Sequence, residues 1–203
     1  MTPPSTGIGH NQGPPLIGAG SWAGYCWRRA RREVWDNPPV EVIRRRKRRA
    51  EELGLSYAQY APILLDKGVR TEALVFDLSG LSERAPAAPL ERMAAKLRTL
   101  RHCTVFAATT EAAHLVDDLN ARTGGIIADC ARFPRPPAGR RRDPWARPPR
   151  LALDAFLQPV LGMLARHAVA PAAAVMIGDG VGAERIAESA RLARVFGAAD
   201  YFQ

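Results

Sequence analysis

Long apolar runs are missing from this chain of 203 residues. No stretch approaches the roughly 18 apolar residues that a membrane-crossing helix needs, and the amino terminus lacks a basic region followed by such a stretch. The sequence therefore leads us to expect a soluble, cytoplasmic protein with no membrane partner. Cysteine is scarce too: Cys26, Cys103 and Cys130 form no CxxC pair, and any single bridge would leave one thiol over, which points to reduced, structural thiols. Lysine is absent from the whole of residues 102–178. No GxGxxG follows the first apolar run and no GxxxxGK[ST] occurs anywhere, so two common backbone cradles for nucleotide phosphates are excluded. Nothing repeats internally.

What is present suffices for one domain of ordinary size with an appendage, since 47% of the residues are hydrophobic. The formal charge of +9 is unevenly placed, with 12 basic against 6 acidic side chains in residues 21–70 and 7 against 1 in residues 130–150. A polyanionic or protein partner would meet the chain through residues 28–49 and 132–150. Equally, the run Arg44-Arg45-Arg46-Lys47-Arg48-Arg49 can be a solvated helix face.

Three parts follow from composition. Residues 1–20 are rich in glycine, proline and small polar residues without periodicity, and read as a flexible tail. Residues 21–71 read as a small basic helical module: a Trp- and Arg-rich helix to Trp35, then a second helix capped by Asn37, with Pro38 at its first position, running to about Leu53. Val40, Ile43, Ala50 and Leu53 fall near one face of that helix, so Arg44, Arg45, Arg48 and Arg49 lie off the apolar stripe. A third short helix begins at Ser56, where Pro62 is expected to kink or split it.

Residues 72–203 alternate strand and helix: strand 73–77, helix about 88–101, strand 103–108, helix 111–122, strand 126–129, a basic proline-rich loop, helix 152–167, strand 173–177, helix about 183–193, and a short strand near Val195. Such alternation implies a Rossmann-like parallel sheet covered on both faces. Its core should include Leu74, Val75, Phe76, Val105, Phe106, Ile126, Ile127, Val175, Met176 and Ile177. Two of the apolar runs end in an aspartate beside glycine, Val75-Phe76-Asp77-Leu78-Ser79-Gly80 and Met176-Ile177-Gly178-Asp179-Gly180. Open α/β sheets bind ligands beyond the carboxyl ends of their strands, so Asp77 and Asp179 can face one crevice. Two acids there can hold magnesium, and one can attack a phosphoryl group.

These residues resemble the haloacid dehalogenase (HAD) superfamily over roughly residues 72–203. The first motif of that family, a strand ending in Asp-x-Asp-Gly-Thr, is matched by Val75-Phe76-Asp77-Leu78-Ser79-Gly80-Leu81 at the first Asp and the Gly. Val105-Phe106-Ala107-Ala108-Thr109-Thr110 matches the second, and Met176-Ile177-Gly178-Asp179 the fourth. The resemblance implies a HAD-like α/β fold, a phosphorylated substrate, magnesium as cofactor, Asp77 as nucleophile, Thr109 as a phosphoryl hydrogen-bond donor, and Asp77, Asp179 and Glu184 as metal ligands. No large insertion follows the first or third strand, so a separate cap is not expected. Ser79 stands where the family's phosphatases carry a second acid that protonates the leaving group. The motif lysine has no counterpart, for which Arg147 or Arg150 can substitute, and the usual second acid after Asp179 falls on Ala183. The expectation is thus a divergent magnesium-dependent phosphohydrolase. Its alternative is a catalytically silent relative whose basic helices bind nucleic acid or protein.

Overall fold

The computed structural model describes residues 38–79, 87–109, 114–133, 150–179 and 181–202, together with Trp22, Cys26 and Arg29. The expected tail, most of the first helix, the Asn37 cap and the bulk of the basic loop lie outside the described residues. The chain divides into two compact units, Met1–Arg44 and Arg45–Gln203. In the first unit the described chain is the start of helix α1 (Val40–Glu52), where Arg44 pairs with Glu41 in solvent. The helix begins later than expected. Its first bonds run from the Val42 and Ile43 amides to the Pro39 carbonyl, which leaves Pro38 outside. Val40, expected in the apolar stripe, is 62% exposed. Fully buried side chains appear only in the helix's carboxyl half, at Arg49 and Ala50.

The second unit is an α/β structure around five parallel strands. They are β1 (Ala73–Asp77), β2 (Thr104–Thr109), β3 (Ile127–Arg132), β4 (Ala174–Ile177) and β5 (Arg194–Phe196), ordered β3-β2-β1-β4-β5. Central β1 pairs on both sides, Asp77 with Ala108 of β2 and Phe76 with Ile177 of β4. A strand flanked and covered in this way must be apolar throughout, which Ala-Leu-Val-Phe satisfies. The expected core is found except at Ile126, which is half-buried.

Helices cover both faces. Leu74, Phe76, Val105, Ala107, Val175 and Ile177 face a layer built from α1, α2 (Tyr57–Lys67), α3 (Ala87–Thr99) and α4 (His114–Thr123). Ala73, Val75, Phe106, Ala108, Ala174 and Met176 face α5 (Arg150–Arg166) and α6 (Val181–Ser189). Leu53, Leu55, Tyr60 and Ile63 belong to the first of these cores, so α2 and the end of α1 pack as part of the α/β unit. Pro62 does not split α2. Ser56 and Gln59 form a reciprocal capping box at its start, and burial of Tyr60 and Ile63 fixes the turn holding the proline, where only one helical bond is lost. The helix expected over 183–193 stops at Ser189, because Arg191 turns left-handed (φ 56°) and the Leu192 amide returns to the Ala187 carbonyl.

Arg49 departs most from expectation. Grouped in the sequence with the solvated arginines, it is only 6% exposed. Its Nη1 donates to Glu52 (2.7 Å) and its Nη2 to the carbonyls of Thr71 (2.7 Å) and His102 (3.0 Å). The neighbouring backbone explains this placement: the Arg101 amide bonds the Glu52 carbonyl and the Thr104 amide that of Glu72, so the end of α1 covers the chain entering β1 and β2. Buried carbonyls need donors, and a guanidinium can serve two at once.

A last helix, α7 (Ala198–Tyr201), folds back over the first core. Tyr201 donates to the Leu53 carbonyl (2.8 Å) and meets Phe76 edge to face. Gly54, in the left-handed region at φ 66°, lies beneath it. A Cβ there would approach the Tyr201 hydroxyl to 2.9 Å, so both backbone and space call for glycine.

Candidate functional site at the carboxyl edge

In this strand order the chain progresses outward through β1, β2 and β3, then crosses to β4 and β5 on the other side of β1. The reversal makes the gap between the carboxyl ends of β1 and β4 a topological switch point, where ligands of such sheets bind. Asp77 is the last residue of β1, and Gly178-Asp179 directly follow β4. A Cβ on Gly178 would lie 2.6 Å from that of Asp77 and 3.3 Å from that of Ala183. Glycine at this position therefore lets three elements close on one point. The sequence held the signal, a glycine before the aspartate, but not the neighbour that requires it.

Asp77 is half-buried. Its Oδ1 accepts the Ser79 amide (2.9 Å), a turn in which the aspartate side chain organises the backbone two residues on. Burial pushes its carboxyl above the ordinary aspartate range; the Ser79 hydroxyl and amide pull it back, and the charge of Asp179 pushes it up further. The Ser79 hydroxyl is near enough to favour the ionised form, yet it is buried and makes no hydrogen bond of good geometry among the described residues.

Asp179 is exposed and serves the local backbone, its Oδ1 accepting the amide of Ala198, the first residue of α7 (2.8 Å). The Gly178 amide meanwhile bonds the Phe196 carbonyl. Thr109 ends β2 and is buried, and its carbonyl accepts the Phe133 amide (2.8 Å). It stands one step beyond Ala108, the register partner of Asp77, so strict alternation sets its side chain on the face of Val105 and Ala107. Glu184 is exposed in the first turn of α6, where a carboxylate suits the helix dipole. Among the described residues no group of three His, Cys, Asp or Glu side chains is arranged to hold a metal ion. Ala183, at the position of the resemblance's second acid, is fully buried and packs against Gly178. Arg150 opens α5, and its side chain, like the whole of Arg147, lies outside the described residues.

No family model matches the chain, and no curated protein or solved structure matches it either. Among the described residues no helix is long and apolar enough to cross a membrane.

A second polar cluster, unnoticed in the sequence, lies on edge strand β3. Asp129 accepts both Nε (3.1 Å) and Nη2 (2.7 Å) of Arg166, lies 3.2 Å from His167 Nε2, and takes the Cys130 amide on its other oxygen. Although burial opposes ionisation, these donors hold its carboxyl below the ordinary range. The ring of His167 meets that of Phe106 at a tilt of 59°, centroids 4.9 Å apart, which ties the end of α5 to the sheet. The arrangement fixes a helix end.

Proposed function

We propose that the carboxyl-end switch point between β1 and β4 is the site of a divergent, HAD-like magnesium-dependent phosphohydrolase with Asp77 as its nucleophile. The observation that carries this reading is the placement of Asp77 and Asp179 at the ends of adjacent strands across the switch point, near enough for the charge of Asp179 to raise the pKa of Asp77. Two carboxylates that repel one another suit a divalent cation. Magnesium takes one or two protein carboxylates and fills its remaining positions with water and phosphate oxygens, so Asp77 and Asp179 suffice without Glu184. When bound, it would supply positive charge against the phosphoryl oxygens.

The chain's own part is nucleophilic. The Asp77 carboxylate forms a bond to phosphorus as the bond to the leaving oxygen breaks; water then attacks the aspartyl phosphate, releasing phosphate and restoring the carboxylate. Ser79 cannot donate a proton as an acid near neutral pH, so the leaving oxygen must depart as an anion and take its proton from water. Substrates with acidic leaving groups, such as aryl phosphates, are therefore favoured. Asp77 must be ionised to attack, so activity falls as pH drops through its raised pKa.

The test pairs magnesium calorimetry with release of phosphate from an aryl ester. Wild type should bind magnesium, Asp179→Asn should bind it at least tenfold more weakly, and Asp77→Asn should release no phosphate. Equal magnesium isotherms for wild type and Asp179→Asn would remove the site. A second reading, a silent relative that binds nucleic acid or protein, is favoured by one observation: Asp179 already has a structural role in capping α7. Phosphate release indistinguishable between wild type and Asp77→Asn would favour it.

A further inference from the structure

Among the described residues Arg44 pairs with Glu41, Arg49 and, at 4.0 Å, Arg70 with Glu52, Arg122 with Glu91, and Arg166 with Asp129. Arg98 and Arg101 are held differently. Arg98 donates Nε (3.0 Å) and Nη2 (2.5 Å) to the Arg122 carbonyl at the end of α4, and Arg101 donates Nη1 to the carbonyls of Arg98 (2.6 Å) and Leu100 (2.8 Å). Both side chains are exposed. A guanidinium fixed by neutral carbonyls keeps its charge and has lost part of its rotamer freedom before any partner arrives.

Their surroundings add charge of the same sign. Residues 98–102 precede β2, and the Arg101 amide bonds the Glu52 carbonyl at the end of α1. Arg70, which precedes the Thr71 carbonyl held by Arg49, is exposed. Of the nearby acids, Glu52 is engaged by Arg49 and lies 4.0 Å from Arg70, while exposed Glu51 and Glu72 offset part of the excess. This amino edge is the opposite end of the sheet from Asp77.

We propose that the amino edge around Arg98 and Arg101, with Arg70 near them, docks the phosphodiester backbone of a nucleic acid. Each planar guanidinium has donors left after its carbonyl bonds, and these match the paired oxygens of a phosphate. Successive phosphates along a backbone are regularly spaced monoanions, which suits cations held in place better than the mobile carboxylates of an acidic peptide do. The inference is independent of chemistry at Asp77.

A fluorescent 20-base-pair duplex DNA of mixed sequence, titrated by anisotropy over a salt series, tests it on the full chain. Wild type should bind with an affinity falling steeply with salt. R98Q/R101Q should lower the log-log slope by about 1.8, at about 0.9 for each phosphate no longer neutralised. R98K/R101K, which keeps charge while losing the carbonyl forks, should retain most of the slope. Should the Gln pair fail to fold by circular dichroism, the Lys pair is compared with R70Q, of which only the latter should lose slope. The proposal is overturned by absence of wild-type binding at the lowest salt, by an unchanged slope in the charge-neutralising pair, or by competition from polyglutamate or phosphatidylserine vesicles equal to that of unlabelled duplex at matched charge.

Discussion

We predict that replacing Arg49 by methionine unfolds the α/β unit far more readily than the same change at Arg48, although both belong to one arginine run. Methionine keeps much of the buried stem, so the comparison isolates the guanidinium. Its loss leaves the Thr71 and His102 carbonyls without this donor and removes the partner of Glu52. A buried acceptor left unpaired costs about 1–3 kcal/mol, and breaking a buried ion pair about 3–5 kcal/mol, with the two overlapping here. Against this, Arg49 Nε is itself buried without a hydrogen bond among the described residues, and removing it recovers part of the loss. The net expectation is a destabilisation of about 3 kcal/mol, or about 6–12 °C in Tm for a domain of this size. Arg48→Met, on an exposed side chain, should stay within about 0.5 kcal/mol of wild type. Urea denaturation followed by circular dichroism measures both. The pH dependence gives an independent check. The Arg49 hydrogen bond lowers the pKa of Glu52 from 4.5, so the pair's stabilisation is present above that value and is lost as pH falls through the lower folded pKa. Wild type should therefore lose this increment in acid and Arg49→Met should not. Midpoints for Arg49→Met and Arg48→Met that agree to within about 0.5 kcal/mol at neutral pH would refute the reasoning.

Asp77→Asn should be more stable than wild type at pH 7. The folded pKa of Asp77 is raised above 3.8, so wild type loses stability as pH rises from that value through the folded pKa, whereas the neutral amide does not; urea midpoints should converge below pH 3.8. Gly178→Ala should lower stability by about 1–3 kcal/mol in a thermal melt, because its methyl would meet the Asp77 Cβ at 2.6 Å. Burial raises the Cys103 thiol to about 11, so at pH 8 only about one in a thousand is thiolate; mass spectrometry after iodoacetamide should find exposed Cys26 alkylated well before Cys103.

The sheet was legible because its strands are fully apolar and spaced by helical segments, and this pattern alone marked Leu74 to Phe76 and Val175 to Ile177 as core. Strand order was not legible, since no local pattern states that β4 returns to the far side of β1; yet that order is what sets Asp77 and Asp179 across one gap. Arg49 was misread for a related reason. Its destination depends on carbonyls at Thr71 and His102, remote in sequence, and a helix pattern carries no information about them. The same holds for Arg98, whose carbonyl partner follows from the packing of α3 beside α4. Ala183 is plain in the sequence, but its burial against Gly178 is not, because that depends on how the start of α6 packs on the end of β4.

The Tyr201 hydroxyl and the Leu53 carbonyl are separated by 148 positions in the chain. Closing so long a loop is entropically expensive for an isolated hydrogen bond, so the bond forms after the sheet has already drawn the two segments together. It belongs to the late side of the folding barrier. Loss of the hydroxyl would then leave the rate of folding nearly unchanged and act almost entirely by hastening unfolding. In this sense the tyrosine is a latch whose contribution is measured in the lifetime of the native state.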